Sequence, residues 1–100
     1  MRVYVSAPYT NGDTVWNVRR AIDAGDKLVE MGHFPFIPHL SHFWHYVSPK
    51  SWEQWLEIDR AFIPVCDAVL RLTGESKGAD IEVEEAKKLG IPIYYSLDEL

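Results

Sequence analysis

Residues 68–95, AVLRLTGESKGADIEVEEAKKLGIPIYY, decide the fold. Ala68 to Leu72 is an apolar run of strand length, and Thr73-Gly74-Glu75 is a turn. Ser76 opens a helix that stops at Gly90, and Ile91 to Tyr95 is another strand. A strand, a helix and a strand joined this tightly require parallel strands with the helix crossing over one face. At about 100° per residue, Ala79, Glu82, Val83, Ala86 and Leu89 share one arc of that helix. Asp80, Ile81, Glu84, Glu85, Lys87 and Lys88 fall outside it. The arc is apolar except for Glu82. A carboxylate on a buried face is costly unless it is paired, protonated or put to use.

The preceding helix carries the same anomaly. Ser51 and Gln54 form a capping box, and the helix runs to about Ile63, ahead of Pro64. Trp52, Trp55, Leu56, Phe62 and Ile63 share an arc with Asp59 in its middle. Two such carboxylates, each in an otherwise clean arc, point to one site built from both helices.

Toward the N-terminus, Arg2 to Ser6 reads as a strand buried on both faces, followed by the loop Ala7 to Gly12. Thr10 or Asp13 caps the next helix, whose stripe is Val15, Val18, Ile22, Leu28 and Val29 and whose end is Gly32. Residues 33–37 form a second strand, and Pro35 assigns it to a sheet edge because proline cannot donate to a ladder. Pro38 to Lys50 reads as irregular and rich in His, Phe, Trp and Tyr, and Ser96 to Leu100 as a last helical turn. The order βαβαβαβ predicts one α/β domain over residues 1–100. Its expected form is a flavodoxin-like three-layer sandwich with a four-stranded parallel sheet in the order 2-1-3-4.

A net charge of −5 argues against a nucleic-acid polymer as partner, since that needs a basic face. A single nucleotide needs only a local anion site. The lone Cys66 excludes an internal disulfide and fits a reducing, cytoplasmic setting, and it reads as buried and inert. No stretch is apolar and long enough for a membrane span, and the first residues read as a strand rather than a signal peptide.

In a parallel sheet of this kind ligands bind beyond the C-terminal strand ends. The loops there carry Tyr9 and Thr10, then His39 to Tyr46, then Gly74 to Gly78. Ser76-Lys77-Gly78 opens a helix, so free backbone N–H groups, the helix dipole and a close-approach glycine favour an anion. One turn on, Glu82 is placed to reach the sugar of a nucleotide held there and attack its anomeric carbon. Asp59 is placed to hold a sugar hydroxyl or protonate the departing base. The structural alternative has Glu82 reaching the rim and Asp59 paired with Arg60, Arg71 or the backbone. His39, His42 and His45 match no strong metal spacing, so no metal and no cofactor are expected. His39, Phe43 and Trp44 are expected around a base, with His42 and His45 on the surface.

Several of these stretches resemble the nucleoside 2-deoxyribosyltransferase superfamily, which includes deoxynucleoside 5′-monophosphate N-glycosidases. They are Val3-Tyr4-Val5-Ser6-Ala7-Pro8, Ile37-Pro38-His39, Asp59 eight residues before Asp67, and above all Ser76-Lys77-Gly78-Ala79-Asp80-Ile81-Glu82 followed by Leu89-Gly90-Ile91-Pro92-Ile93. The resemblance implies Glu82 as nucleophile and Asp59 as its assistant at sugar or base. It implies Ser76 and Gly78 at a 5′-phosphate, and Tyr4 and His39 in the pocket lining beside Tyr9. The chain departs from the pattern at Ile81, where an aromatic is usual, and at Glu84, where glycine is usual. The expected function is cleavage or transfer at the N-glycosidic bond of a (deoxy)nucleoside or its 5′-monophosphate by a homodimer or larger homo-oligomer. The rival expectation is a non-catalytic nucleotide-binding or regulatory module on the same fold.

Overall fold

The computed structural model describes residues 1–100. The elements in chain order are β1 (Arg2–Ser6), α1 (Thr14–Glu30), β2 (Phe34–Phe36), α2 (Ser41–Val47), α3 (Trp52–Phe62), β3 (Ala68–Arg71), α4 (Lys77–Lys88) and β4 (Ile93–Tyr94). Short 3-10 turns cover Pro38–Leu40, Ile63–Val65 and Leu97–Glu99. The sheet is parallel throughout, in the order β2-β1-β3-β4. Tyr4 stands opposite Phe36 on one side and Val69 on the other, and Ser6 opposite Arg71. This is the flavodoxin-like arrangement expected from the sequence, with β2 on an edge.

Strand alternation divides β1 between two cores. Val3 and Val5 face α1 and pack with Ala21, Ala24 and Leu28. Tyr4 faces the opposite layer with Ile63, Val69 and Ala86. Ser6 lies two residues beyond Tyr4 and so shares its face. That periodicity is what delivers two hydroxyls to the underside of α4. The caps follow local chemistry. Asp13 accepts from the Trp16 amide, the Ser51–Gln54 capping box is complete, and Ser76 accepts from the Ala79 amide.

Four expectations need correction. Most of the α1 stripe lies off the core face: Val15, Ile22 and Val29 are exposed and Val18 is half-buried, and of the stripe only Leu28 joins the buried face of Asn17, Ala21, Ala24 and Gly25. Small residues win there because the helix sits close to the sheet. A Cβ on Gly25 would lie 2.4 Å from Ile37 Cδ1. Leu89 is exposed rather than part of the α4 core face. The stretch Pro38 to Lys50 contains α2, a helix of 7 residues with no side-chain cap. Lastly, β4 is only Ile93–Tyr94, since Pro92 cannot extend its ladder as a donor.

Candidate active site

Glu82 is 6% exposed and held by two hydroxyls. Tyr4 Oη donates to its Oε2 at 2.5 Å, and Ser6 Oγ donates to its Oε1 at 2.8 Å. Burial pushes the carboxyl up to about 7. The hydrogen bonds from Tyr4 and Ser6 oppose that rise, the charge of Asp59 adds to it, and Arg71 lowers it. Tyr4 is itself fully buried, and its phenol is held well above the usual range first by burial and then by the Glu82 charge. It therefore stays a donor.

Asp59, on α3, is half-buried, and burial raises it to about 6. It has no cationic partner. Arg60 is bound to Glu85 at 2.9 Å, and Arg71 is engaged by the backbone of the β3–α4 turn and by Asp80. Both acids line one cavity of about 610 Å³ at the C-terminal end of the sheet. Tyr9, His39, Ser76 and Gly78 line the same cavity. That volume lies within the range usual for small-molecule sites.

The start of α4 forms one wall. Its first amides have no partner within the helix, and Ser76 Oγ satisfies only that of Ala79, at 3.1 Å. Gly78 lies under Trp52: a Cβ there would approach the indole to 3.9 Å. Lys77 Nζ sits 5.6 Å from the Trp52 ring centroid, an ordinary cation–π distance.

The family model for a domain of unknown function, DUF7768, matches residues 1–96. The chain belongs to the DUF7768 family. No curated protein matches it in sequence. In structure it is similar to a 2-deoxyribosyltransferase from the psychrotolerant bacterium Bacillus psychrosaccharolyticus. The TM-score is 0.70 at 20% identity, with 93% of this chain and 69% of that enzyme covered. At that identity the likeness establishes a shared fold.

In this DUF7768 chain His39, His42 and His45 go separate ways. His39 is 5% exposed, and its Nε2 is 2.8 Å from the Pro8 carbonyl, to which it donates. Its Nδ1 is buried without a partner, and burial lowers its pKa. His42 Nδ1 is 2.5 Å from Tyr9 Oη. His45 Nδ1 accepts from Trp55 Nε1 at 2.8 Å and from the Lys50 amide at 3.2 Å.

Tyr4 does not line the cavity as expected; it lies wholly buried beneath Glu82. Phe43 and Trp44 are exposed and outside the cavity wall, which Trp52, Trp55 and His45 build instead. His45 is thus not plain surface. The aromatic wall comes from α3 because its capping box fixes a frame in which Trp52, Trp55 and Asp59 share one side.

Three residues that shape the candidate site were not singled out from the sequence. Ser6 was legible from its two-residue offset from Tyr4. Asn17 is buried on α1 and donates to the carbonyls of Tyr9 at 3.0 Å and Asn11 at 2.8 Å, pinning the first loop. An asparagine on the core face of a helix was the available signal. His45 had none, because both its donors lie downstream.

Proposed function

We propose that this protein cleaves or transfers at the N-glycosidic bond of a (deoxy)nucleoside or its 5′-monophosphate through a covalent Glu82–sugar intermediate. The observation that carries this reading is the Glu82 carboxylate, held on both oxygens by Tyr4 and Ser6 and sharing a cavity with the unpaired Asp59. Two donors stabilise the ionised form against burial, which is what a nucleophilic carboxylate needs.

Glu82 attacks the anomeric carbon as the bond to the base nitrogen breaks, with its electron pair leaving on the base. Protonated Asp59 gives its proton to that nitrogen. Water or a second base then attacks the same carbon, Asp59 takes the proton from the incoming acceptor, and Glu82 leaves as carboxylate. Two displacements give net retention. Hydrolase and transferase differ only in the acceptor. The first amides of α4, Ser76 and the Gly78 backbone bind the 5′ end. His39 and Tyr9 shape the sugar side, and Trp52 and Trp55 give flat surfaces for a base. The oligomer expected from the sequence would bury the exposed Phe43, Tyr46 and Val47 of α2, which sedimentation velocity tests.

A non-catalytic nucleotide-binding module is the competing reading. It is favoured by the Glu82 pKa of about 7, since a protonated carboxyl is a poor nucleophile. Chromatography of a panel of nucleosides, deoxynucleosides and 5′-monophosphates, with and without a free acceptor base, separates the two. The enzyme reading expects base release or exchange in wild type and a loss of ~10³-fold or more in Glu82→Gln, with ligand binding intact. Binding without any base release would favour the module.

A further inference from the structure

On the cavity wall formed by α2, α3 and the segment between them, the end away from Asp59 presents hydrogen-bond donors whose orientation is fixed by the protein. Trp55 Nε1 and the Lys50 amide are donors only, and both point at His45 Nδ1. That nitrogen is therefore the bare acceptor of a neutral ring, whose proton sits on Nε2. No protein acceptor meets Nε2, and it is not sealed from solvent. His45 and Lys50 both line the cavity that holds Glu82 and Asp59. Lys50 has no carboxylate partner. Its ammonium stands 5.2 Å from the Trp44 ring centroid and 5.7 Å from that of Trp55, and it donates to Ser48 Oγ at 3.1 Å. Two protons remain for a ligand.

The wall thus differs in sign along its length. Glu82 and, one turn of α3 beyond Trp55, Asp59 offer carboxylates. The end nearer α2 offers an N–H and an ammonium beside the Trp55 ring. A flat group that lies on Trp55 must turn an acceptor toward His45 and Lys50, because a donor placed there leaves both partners unpaired.

We propose that His45 and Lys50 form a leaving-group subsite that selects oxo-bases, 6-oxopurines or dioxopyrimidines, over their amino counterparts. The proposal rests on the reading of the site given above. The ring carbonyl accepts from His45 Nε2–H and Lys50 Nζ. When the bond to the anomeric carbon breaks, its electron pair enters the base and is shared with that carbonyl oxygen. Lys50 stabilises this charge until the ring nitrogen takes the Asp59 proton. An amino-base offers N–H groups at the same position and gains neither contact.

The test is equilibrium binding of deoxyinosine 5′-monophosphate and deoxyadenosine 5′-monophosphate to the full chain, followed by tryptophan fluorescence. Glu82→Gln serves as background so that no turnover interferes. The oxo-nucleotide should bind about tenfold more tightly. His45→Asn keeps an acceptor for Trp55 Nε1 and the Lys50 amide but removes the Nε2–H. It should bring the two affinities within about twofold by weakening only the oxo-nucleotide. His45→Gln, which restores a donor at that reach, should recover part of the preference. Lys50→Met, which keeps an apolar stem over Trp44 and Trp55, should weaken the oxo-nucleotide selectively. Equal binding of the two nucleotides, or a preference that survives His45→Asn, would overturn the inference, as would no binding of either. A preference lost in His45→Asn while wild type releases no base from any member of the panel would sink the glycosidase reading and leave only the base recognition by His45 and Lys50 standing.

Discussion

Tyr4 Oη donates to Glu82 Oε2 at 2.5 Å, joining the first strand to the last helix across 78 positions of sequence. With Ser6 on the other oxygen, the bond fixes the carboxylate plane and lowers a pKa that burial raises. Because the sheet supplies both donors, the acid is held by rigid backbone rather than by a loop.

Tyr4→Phe removes one donor and little volume. The bond lowers the Glu82 pKa, so its loss raises that pKa. With Asp59 the stronger acid, the alkaline limb of the pH–rate profile should move up by roughly one unit and the height of the bell should fall about tenfold. Steady-state rates of base release across pH check this. An unmoved limb would mean that Tyr4 only fills space.

Glu82 at about 7 and Asp59 at about 6 share the cavity, and the proposed reaction needs the first ionised and the second protonated. The kcat/KM profile should be a narrow bell peaking at about pH 6.5. Asp59→Asn should remove the alkaline limb. Its acid limb should then report Glu82 alone and lie at or above that of wild type, because the reactive form already holds Asp59 neutral.

Stability should run the other way along the pH axis. Glu82 has a folded pKa of about 7 against an ordinary value of 4.5. Between those values the folded state binds more protons, so stability is greatest below the lower one and falls as pH rises through the higher. The span corresponds to roughly 3 kcal/mol. Urea unfolding from pH 5 to 8 should show that decline in wild type and a much flatter line in Glu82→Gln. Parallel lines would remove Glu82 as the cause. A site held at a cost to stability is what a functional acid on a core face implies.

Asn17→Asp replaces a donor to two carbonyls with an acceptor in the same buried place. The first loop should lose its anchor. Stability should drop by roughly 1–3 kcal/mol, and KM should rise more than kcat falls, because Tyr9 and Thr10 sit at the cavity edge. Denaturant midpoints alongside initial rates check both. A loss in kcat alone would count against a role in positioning.

The sheet order, β1 and the two carboxylates were legible because each announces itself locally. A strand buried on both faces has no polar position to spare, and an acid in an apolar arc breaks a short period. The orientation of α1 was not legible. Its true core face, Asn17, Ala21, Ala24, Gly25 and Leu28, shares only Leu28 with the stripe Val15, Val18, Ile22, Leu28 and Val29, so hydrophobicity alone chooses the wrong side. Close packing against Ile37 reverses the choice, and no local pattern encodes that contact. The α2 helix was missed for a related reason: its His, Phe, Trp, Tyr and Val residues have modest helix propensity, and no side chain caps it. The role of His45 is set by partners outside its own helix.

The most direct test is the mass of the protein quenched in acid during turnover of the best nucleotide from the panel. The account predicts a sugar-sized adduct on the peptide containing Glu82, absent in Glu82→Gln, with retained configuration at the anomeric carbon of the product. Base release undiminished in Glu82→Gln, or product of inverted configuration, would contradict it.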